Sequence, residues 1–125
     1  MISRLRGTVW ESKPLQLVID CSGVGYAVSV PMTEKLPKVG ETIELFTYAV
    51  YREDSATLYG FTTAHERDFF TLLVDKVSGI GPKTALSLLA HLPVKRLQVA
   101  IDTGDLNTLK ATPGIGKKTS ERLLL

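Results

Sequence analysis

One phrase is written twice in this chain: Ser78-Gly79-Ile80-Gly81-Pro82-Lys83-Thr84-Ala85-Leu86-Ser87-Leu88-Leu89, then Pro113-Gly114-Ile115-Gly116-Lys117-Lys118-Thr119-Ser120-Glu121-Arg122-Leu123-Leu124. The offset is constant (114 − 79 = 35), and Gly, Ile, Gly, Lys, Thr, Leu and Leu recur in register. A repeat of this kind constrains architecture before any single residue does. It also carries chemistry. Two glycines one residue apart allow a tight turn, and the apolar periodicity that follows each pair predicts a helix starting at once. The positive end of the helix dipole then faces the turn, with a lysine beside it. An element of this kind binds an anion through main-chain donors, and so reads phosphate without reading bases.

Two nucleotide loops can be set aside. A Walker A loop requires Gly-x4-Gly-Lys-Ser/Thr, but Ala111 stands five residues before Gly116 and the following pair is Lys117-Lys118. In the first copy Pro82 follows Gly81. A dinucleotide fingerprint requires a third glycine where Thr84 and Thr119 stand, and a strand where the pattern is helical. What remains is sequence-independent contact with a nucleic-acid backbone, set against a plain helix-to-helix turn. A single copy would favour the plain turn; two copies, each with Lys and Thr in the same places, favour phosphate. Lys117, Lys118 and Arg122 add charge to the second copy, with Lys118 and Arg122 four apart on one face. Placed near a helix N-terminus, that charge opposes the dipole and makes sense beside an anion. Lys83 is the lone cation of the first copy, and Ile80 and Ile115 read as core.

The basic excess follows the repeat. Residues 1–64 hold six Lys/Arg against seven Asp/Glu, and residues 65–125 hold nine against six. An apolar content of 44% with 22% charged residues belongs to a globular chain. No stretch approaches the roughly 20 apolar residues of a membrane span. Gly7 interrupts the place where an export signal would be apolar. The single Cys21 ends an apolar run and reads as a buried, inert thiol. A reduced cytoplasm is the expected setting.

The chain divides by period. Val9-Trp10, Leu15–Ile19, Tyr26–Val30, Thr42–Tyr51 and Thr57–Phe61 are β-rich runs separated by turn residues at 12–14, 22–25, 37–40 and 52–55. Five short strands predict a small Greek-key barrel of the OB type, although an SH3-like barrel fits nearly as well. Beyond residue 62 the spacing turns helical: Glu66 to Val77, Pro82 to about His91, Pro93 to Ile101, a fourth helix starting at Gly104-Asp105, and a last one from Lys117. The expectation is an α+β chain of two domains, an OB-fold barrel over 1–62 and a helical domain over 63–125 with tandem helix–hairpin–helix motifs. The chain stops on Arg122-Leu123-Leu124-Leu125, apolar residues at a bare terminus, which reads as a truncated helix.

Set in this order, the motifs closely resemble the RuvA family of bacterial Holliday-junction recognition proteins over the whole chain. The resemblance rests on Met1-Ile2-Ser3-Arg4-Leu5-Arg6-Gly7, Gly23-Val24-Gly25-Tyr26, Arg52-Glu53-Asp54 with Leu58-Tyr59-Gly60-Phe61, and Pro113–Thr119 with Glu121-Arg122. It implies a four-fold homotetramer that holds a four-way DNA junction open. The paired hairpins would grip duplex arms at the minor groove through the main chain of Gly79, Gly81, Gly114 and Gly116, supported by Lys83, Lys117, Lys118 and Arg122. An acidic pin in the barrel matches Glu53 and Asp54; without the resemblance those two acids read as a solvated loop. The implied role is the non-catalytic subunit of a branch-migration complex with the RuvB motor ATPase, and with the RuvC resolvase as a further implied partner. The family's C-terminal motor-binding domain lies outside these 125 residues.

No cofactor or metal is expected. His65 and His91 are far apart in sequence and read as surface or capping residues, with no ligand cluster around them. Two other readings stay open from the residues alone. Tandem hairpins also serve as DNA-gripping appendages of nucleases, glycosylases and ligases, and a barrel of this size can be a protein-binding module.

Overall fold

Alternating burial makes Thr42–Tyr51 a barrel strand: Leu45, Thr47 and Ala49 point inward while their neighbours are more exposed. In the computed structural model, which describes residues 1–112 and 115–124 (the side chains of 117–119 excepted), this is β4. The other strands are β1 (Arg4–Lys13), β2 (Gln16–Cys21), β3 (Val24–Ser29) and β5 (Ala56–Phe61). They close in the order β1-β2-β3-β5-β4, with β1 antiparallel to β4 and a short parallel pairing of β3 with β5. That order is the OB-fold barrel, so the SH3-like alternative falls. The interior is Leu5, Val9, Leu17, Ile19, Val28, Val30, Leu45, Ala49 and Leu58. Gly60 packs close against this interior: a Cβ would stand 2.6 Å from Val28 Cγ1 and 3.2 Å from Leu45 Cδ1, both buried core side chains.

The strand ends differ from the sequence expectation. The first strand begins at Arg4, because Arg4 and Arg6 flank buried Leu5 and pair with Phe46 and Glu44 of β4. It runs through Ser12 and Lys13, which the turn residues had placed in a loop. Leu15 is not in a strand; its φ of +67° puts it in the connection. The turn expected over 22–25 narrows to Ser22-Gly23, with φ of +54° and +92°, and Gly23 N–H donates to Asp20 Oδ1 at 2.8 Å.

The helices are α1 (Ala64–Lys76), α2 (Pro82–His91), α3 (Val94–Thr103), α4 (Leu106–Lys110) and α5 (Lys117–Leu123). Thr63 Oγ1 accepts from Glu66 N–H at 3.1 Å at the head of α1, a Thr-x-x-Glu capping pattern. Burial raises the Glu66 carboxyl above its usual range, partly offset by the Thr62 main chain. Gly104, at φ +68°, ends α3, and Asp105 caps α4 through Thr108 N–H at 3.1 Å and Thr108 Oγ1 at 2.5 Å. By Cα proximity the chain falls into two compact units, Met1–Arg67 and Asp68–Leu125. In the first, Arg67 donates to the Ser3 carbonyl at 3.0 Å and lies over the Phe46 ring.

Candidate nucleic-acid interface

The first Gly-Ile-Gly turn is built by one buried side chain between two exposed glycines. Ile80 is buried and its N–H donates to the Val77 carbonyl at 3.3 Å, which pulls the chain back onto the end of α1. Gly79 takes φ +79°, the left-handed region that a side chain disfavours. Gly81 is extended (φ −93°, ψ 177°) and accepts from Ala85 N–H at 3.1 Å to start α2. No side chain caps that helix, and Pro82 fills its first position.

At its described residues, Ile115 and Gly116, the second turn repeats this geometry. Ile115 is buried and donates to the Thr112 carbonyl at 3.1 Å. Gly116 is extended (φ −89°, ψ 178°), accepts from Ser120 N–H at 3.0 Å, and starts α5 with no side-chain cap. Ser120 replaces Ala85 at the matching buried position, and its hydroxyl donates to the Gly116 carbonyl at 3.0 Å, so the polar group is satisfied. Pro113, Gly114 and Leu125, with the side chains of Lys117, Lys118 and Thr119, lie outside the described residues.

The glycines are not equivalent. Around Gly81 and Gly116 an added Cβ would meet nothing within 4 Å, and both have backbone angles open to any residue. The fold does not require glycine at either position. Gly79 needs glycine for its positive φ, and the Arg122 guanidinium and Cδ pass over the space a Cβ would fill. Arg122 also departs from expectation. It sits in the last turn of α5, where a cation suits the helix dipole, so the argument from opposition to the dipole does not apply to it. Lys83 is exposed in the first turn of α2.

At the barrel, Glu53 and Asp54 form the tip of the β4–β5 connection. Arg52 N–H donates to the Ser55 carbonyl at 2.7 Å and Ser55 N–H returns a 3.5 Å contact, leaving the two acids at the centre of a tight hairpin turn. Both are exposed, and among the described residues neither carboxylate has a hydrogen bond or ion pair. Near the same end of the strands lies an apolar depression of about 270 Å³ lined by residues including Ile2, Tyr26, Ala49, Tyr51 and Leu58. Cys21 is half-buried beside the core, more open than expected. His91 Nδ1 lies 2.9 Å from the Ser87 carbonyl within α2. Among the described residues no helix is long and apolar enough to cross a membrane.

Comparison with known proteins follows the same division. The RuvA N terminal domain matches residues 1–60, and the SAM-like helix-hairpin-helix tandem matches residues 70–125. The chain belongs to the RuvA family. It is 47% identical to the Holliday junction branch migration complex subunit RuvA of Opitutus terrae, 49% to that of Pseudomonas fluorescens and 50% to that of Methylibium petroleiphilum, over its whole length. It spans 64%, 62% and 66% of those relatives, respectively. The RuvA N terminal match covers the barrel and its acidic tip; the tandem match covers both glycine turns.

Two features of this RuvA-family chain were not visible in its sequence. The repeat marks Gly79 and Gly81 as a pair, but only their backbone angles separate a residue that holds the turn from one the turn does not need. The reach of Arg122 across to the first turn has no local signal, because it joins residues from opposite ends of the helical unit.

Proposed function

We propose that this chain is the junction-binding part of a branch-migration subunit: it grips four-way DNA through the main chain of its two hairpins, without reading sequence and without catalysing a reaction. The observation that carries the reading is the pair of extended glycines, Gly81 and Gly116, each opening a helix without a side-chain cap and with empty space where a Cβ would be. A glycine that the fold does not need makes sense where another backbone must come close, and a helix start favours an anionic one. Lys83, Lys117, Lys118 and Arg122 supply cations around the turns, with Gly79 and Gly114 completing them. The resemblance of the whole chain to named Holliday junction subunits supports junction DNA as the ligand.

Glu53 and Asp54 act in this reading as the pin. Unpaired carboxylates repel phosphate and add nothing to affinity, so their use is to keep continuous duplex from the junction centre and to favour strand separation. The arrangement needs several copies around one centre, which is the homotetramer. The motor ATPase, RuvB in the family, would supply the energy of branch migration in the cytoplasm, and RuvC would act on the same junction.

The test is a gel-shift competition among a four-way junction, linear duplex and single strand, repeated over a range of salt. The expected result is preference for the junction, with log affinity falling steeply against log salt. Equal affinity for all three substrates would refute the reading. Cleavage of any of them with magnesium would favour a nuclease appendage instead.

A further inference from the structure

The two hairpins carry unequal charge in sequence, with one cation near the first turn and three near the second. The structure redistributes them. Arg122 leaves the second hairpin helix and passes over Gly79 of the first: an ideal Cβ on Gly79 would fall onto Nη1, 2.9 Å from Cζ and 3.4 Å from Cδ. Head and stem therefore both lie over Gly79. The residue is exposed, and among the described residues no hydrogen bond or ion pair engages its guanidinium. A planar head with its donors open, lying at the turn that precedes Gly81 and Lys83, is suited to forked contact with a phosphate there.

We propose that Arg122 serves the first hairpin's phosphate, so that the two copies of the repeat form one composite clamp and not two independent ones. This rests on the reading of the hairpins as phosphate-gripping turns and deepens it. The glycine at 79 then has a second use: its missing side chain is the channel through which an arginine from the other copy reaches the first turn. A lysine at 122 could keep the charge but not the fork.

The experiment pairs protein variants with neutral methylphosphonate substitutions placed one at a time along the arms of a four-way junction. Lys83→Gln marks the first hairpin's phosphate as the position where neutralisation no longer weakens binding; Lys118→Gln marks the second hairpin's. Arg122→Gln is expected to weaken junction binding roughly tenfold or more, the scale of a charge-assisted contact, and to become insensitive at the position marked by Lys83→Gln. Arg122→Lys is expected to recover only part of the affinity. In amide spectra of the free protein, Arg122→Gln is expected to shift Gly79, and Lys118→Gln to leave it in place. Insensitivity at the position marked by Lys118→Gln, or an unmoved Gly79 amide, overturns the proposal. Failure of the underlying reading registers differently, as wild-type protein that is indifferent to neutralisation at every position, and it overturns the proposal as well. Thermal melts of the three glutamine variants establish that each remains folded.

Discussion

Alanine at Gly79 and alanine at Gly81 should separate stability from binding, although the two residues stand in one turn and read alike. At Gly79 the φ of +79° costs a side chain about 1–2 kcal/mol. The new methyl would also meet the Arg122 guanidinium, which is exposed and can swing aside, so the backbone strain dominates. At Gly81 the backbone is extended and nothing lies within 4 Å of an added Cβ. Alanine there restricts the unfolded chain, and stability should hold or rise by about 0.4–1 kcal/mol. In a unit the size of Asp68–Leu125, each kcal/mol moves the melting temperature by about 4–8 °C. Gly79→Ala should therefore melt roughly 4–16 °C lower, while Gly81→Ala stays at or above wild type. Junction affinity should fall for both, because Gly79→Ala displaces Arg122 from the first turn, but only Gly81→Ala should lose it without losing stability. The Gly81 methyl stands on the exposed side of the turn, and loss of one charge-assisted amide contact costs about 1.5–3 kcal/mol, or roughly 10–150-fold. Differential scanning calorimetry gives the first quantity, and gel shifts at fixed salt, below the melting range of both variants, give the second. The reasoning fails if Gly81→Ala destabilises the fold as much as Gly79→Ala, or binds the junction as tightly as wild type.

Other expectations are independent of that pair. Glu53→Gln combined with Asp54→Asn should leave the melting temperature unchanged and keep or raise DNA affinity, because both acids are exposed and unpaired among the described residues. It should also erode the preference for junction over duplex, and unchanged discrimination in the competition assay counts against the pin. The bonds from the Thr108 hydroxyl and amide hold the Asp105 carboxyl below its usual range. A depressed carboxylate stabilises above the unfolded value and loses that contribution as pH falls through the folded one. Asp105→Ala should thus lower the melting temperature at pH 7, and the gap from wild type should narrow on acidification below the usual aspartate range. A constant gap across pH would assign the loss to something other than the cap.

Much of the architecture was legible because it is written in local periods. Thr42–Tyr51 alternates with period two and forms β4 over the same span, and Pro82 to His91 starts and stops at its prolines as α2 does. Boundaries were lost where a neighbour decided them. Arg4 and Arg6 carry no strand signal of their own; pairing with Glu44 and Phe46 draws them into β1. Ser22 looked like one residue of a longer turn until two positive φ angles compressed the reversal to two residues. The hairpin residues were legible as a set, through repetition, but their separate duties were not. The dipole argument at Arg122 failed because it assumed a place near the start of α5, and the residue lies in the last turn.

Sequence alone settled the things that depend on neighbours a few residues away: five strands then helices, two Gly-Ile-Gly turns with buried isoleucines, and the exclusion of nucleotide loops. Those follow from φ restrictions, helix and strand periods, and spacing, all of which act along the chain. Tertiary structure decided what depends on residues distant in the chain meeting in space. It closed β1 onto β4 and set β3 parallel to β5, which chose the OB order over its rival. It also laid Arg122 across Gly79, so that the glycine nearest the first repeat's start is shaped by the last cation of the second. Backbone sterics can be read one residue at a time, but which side chain fills a vacant Cβ position is fixed only when the chain has folded back on itself.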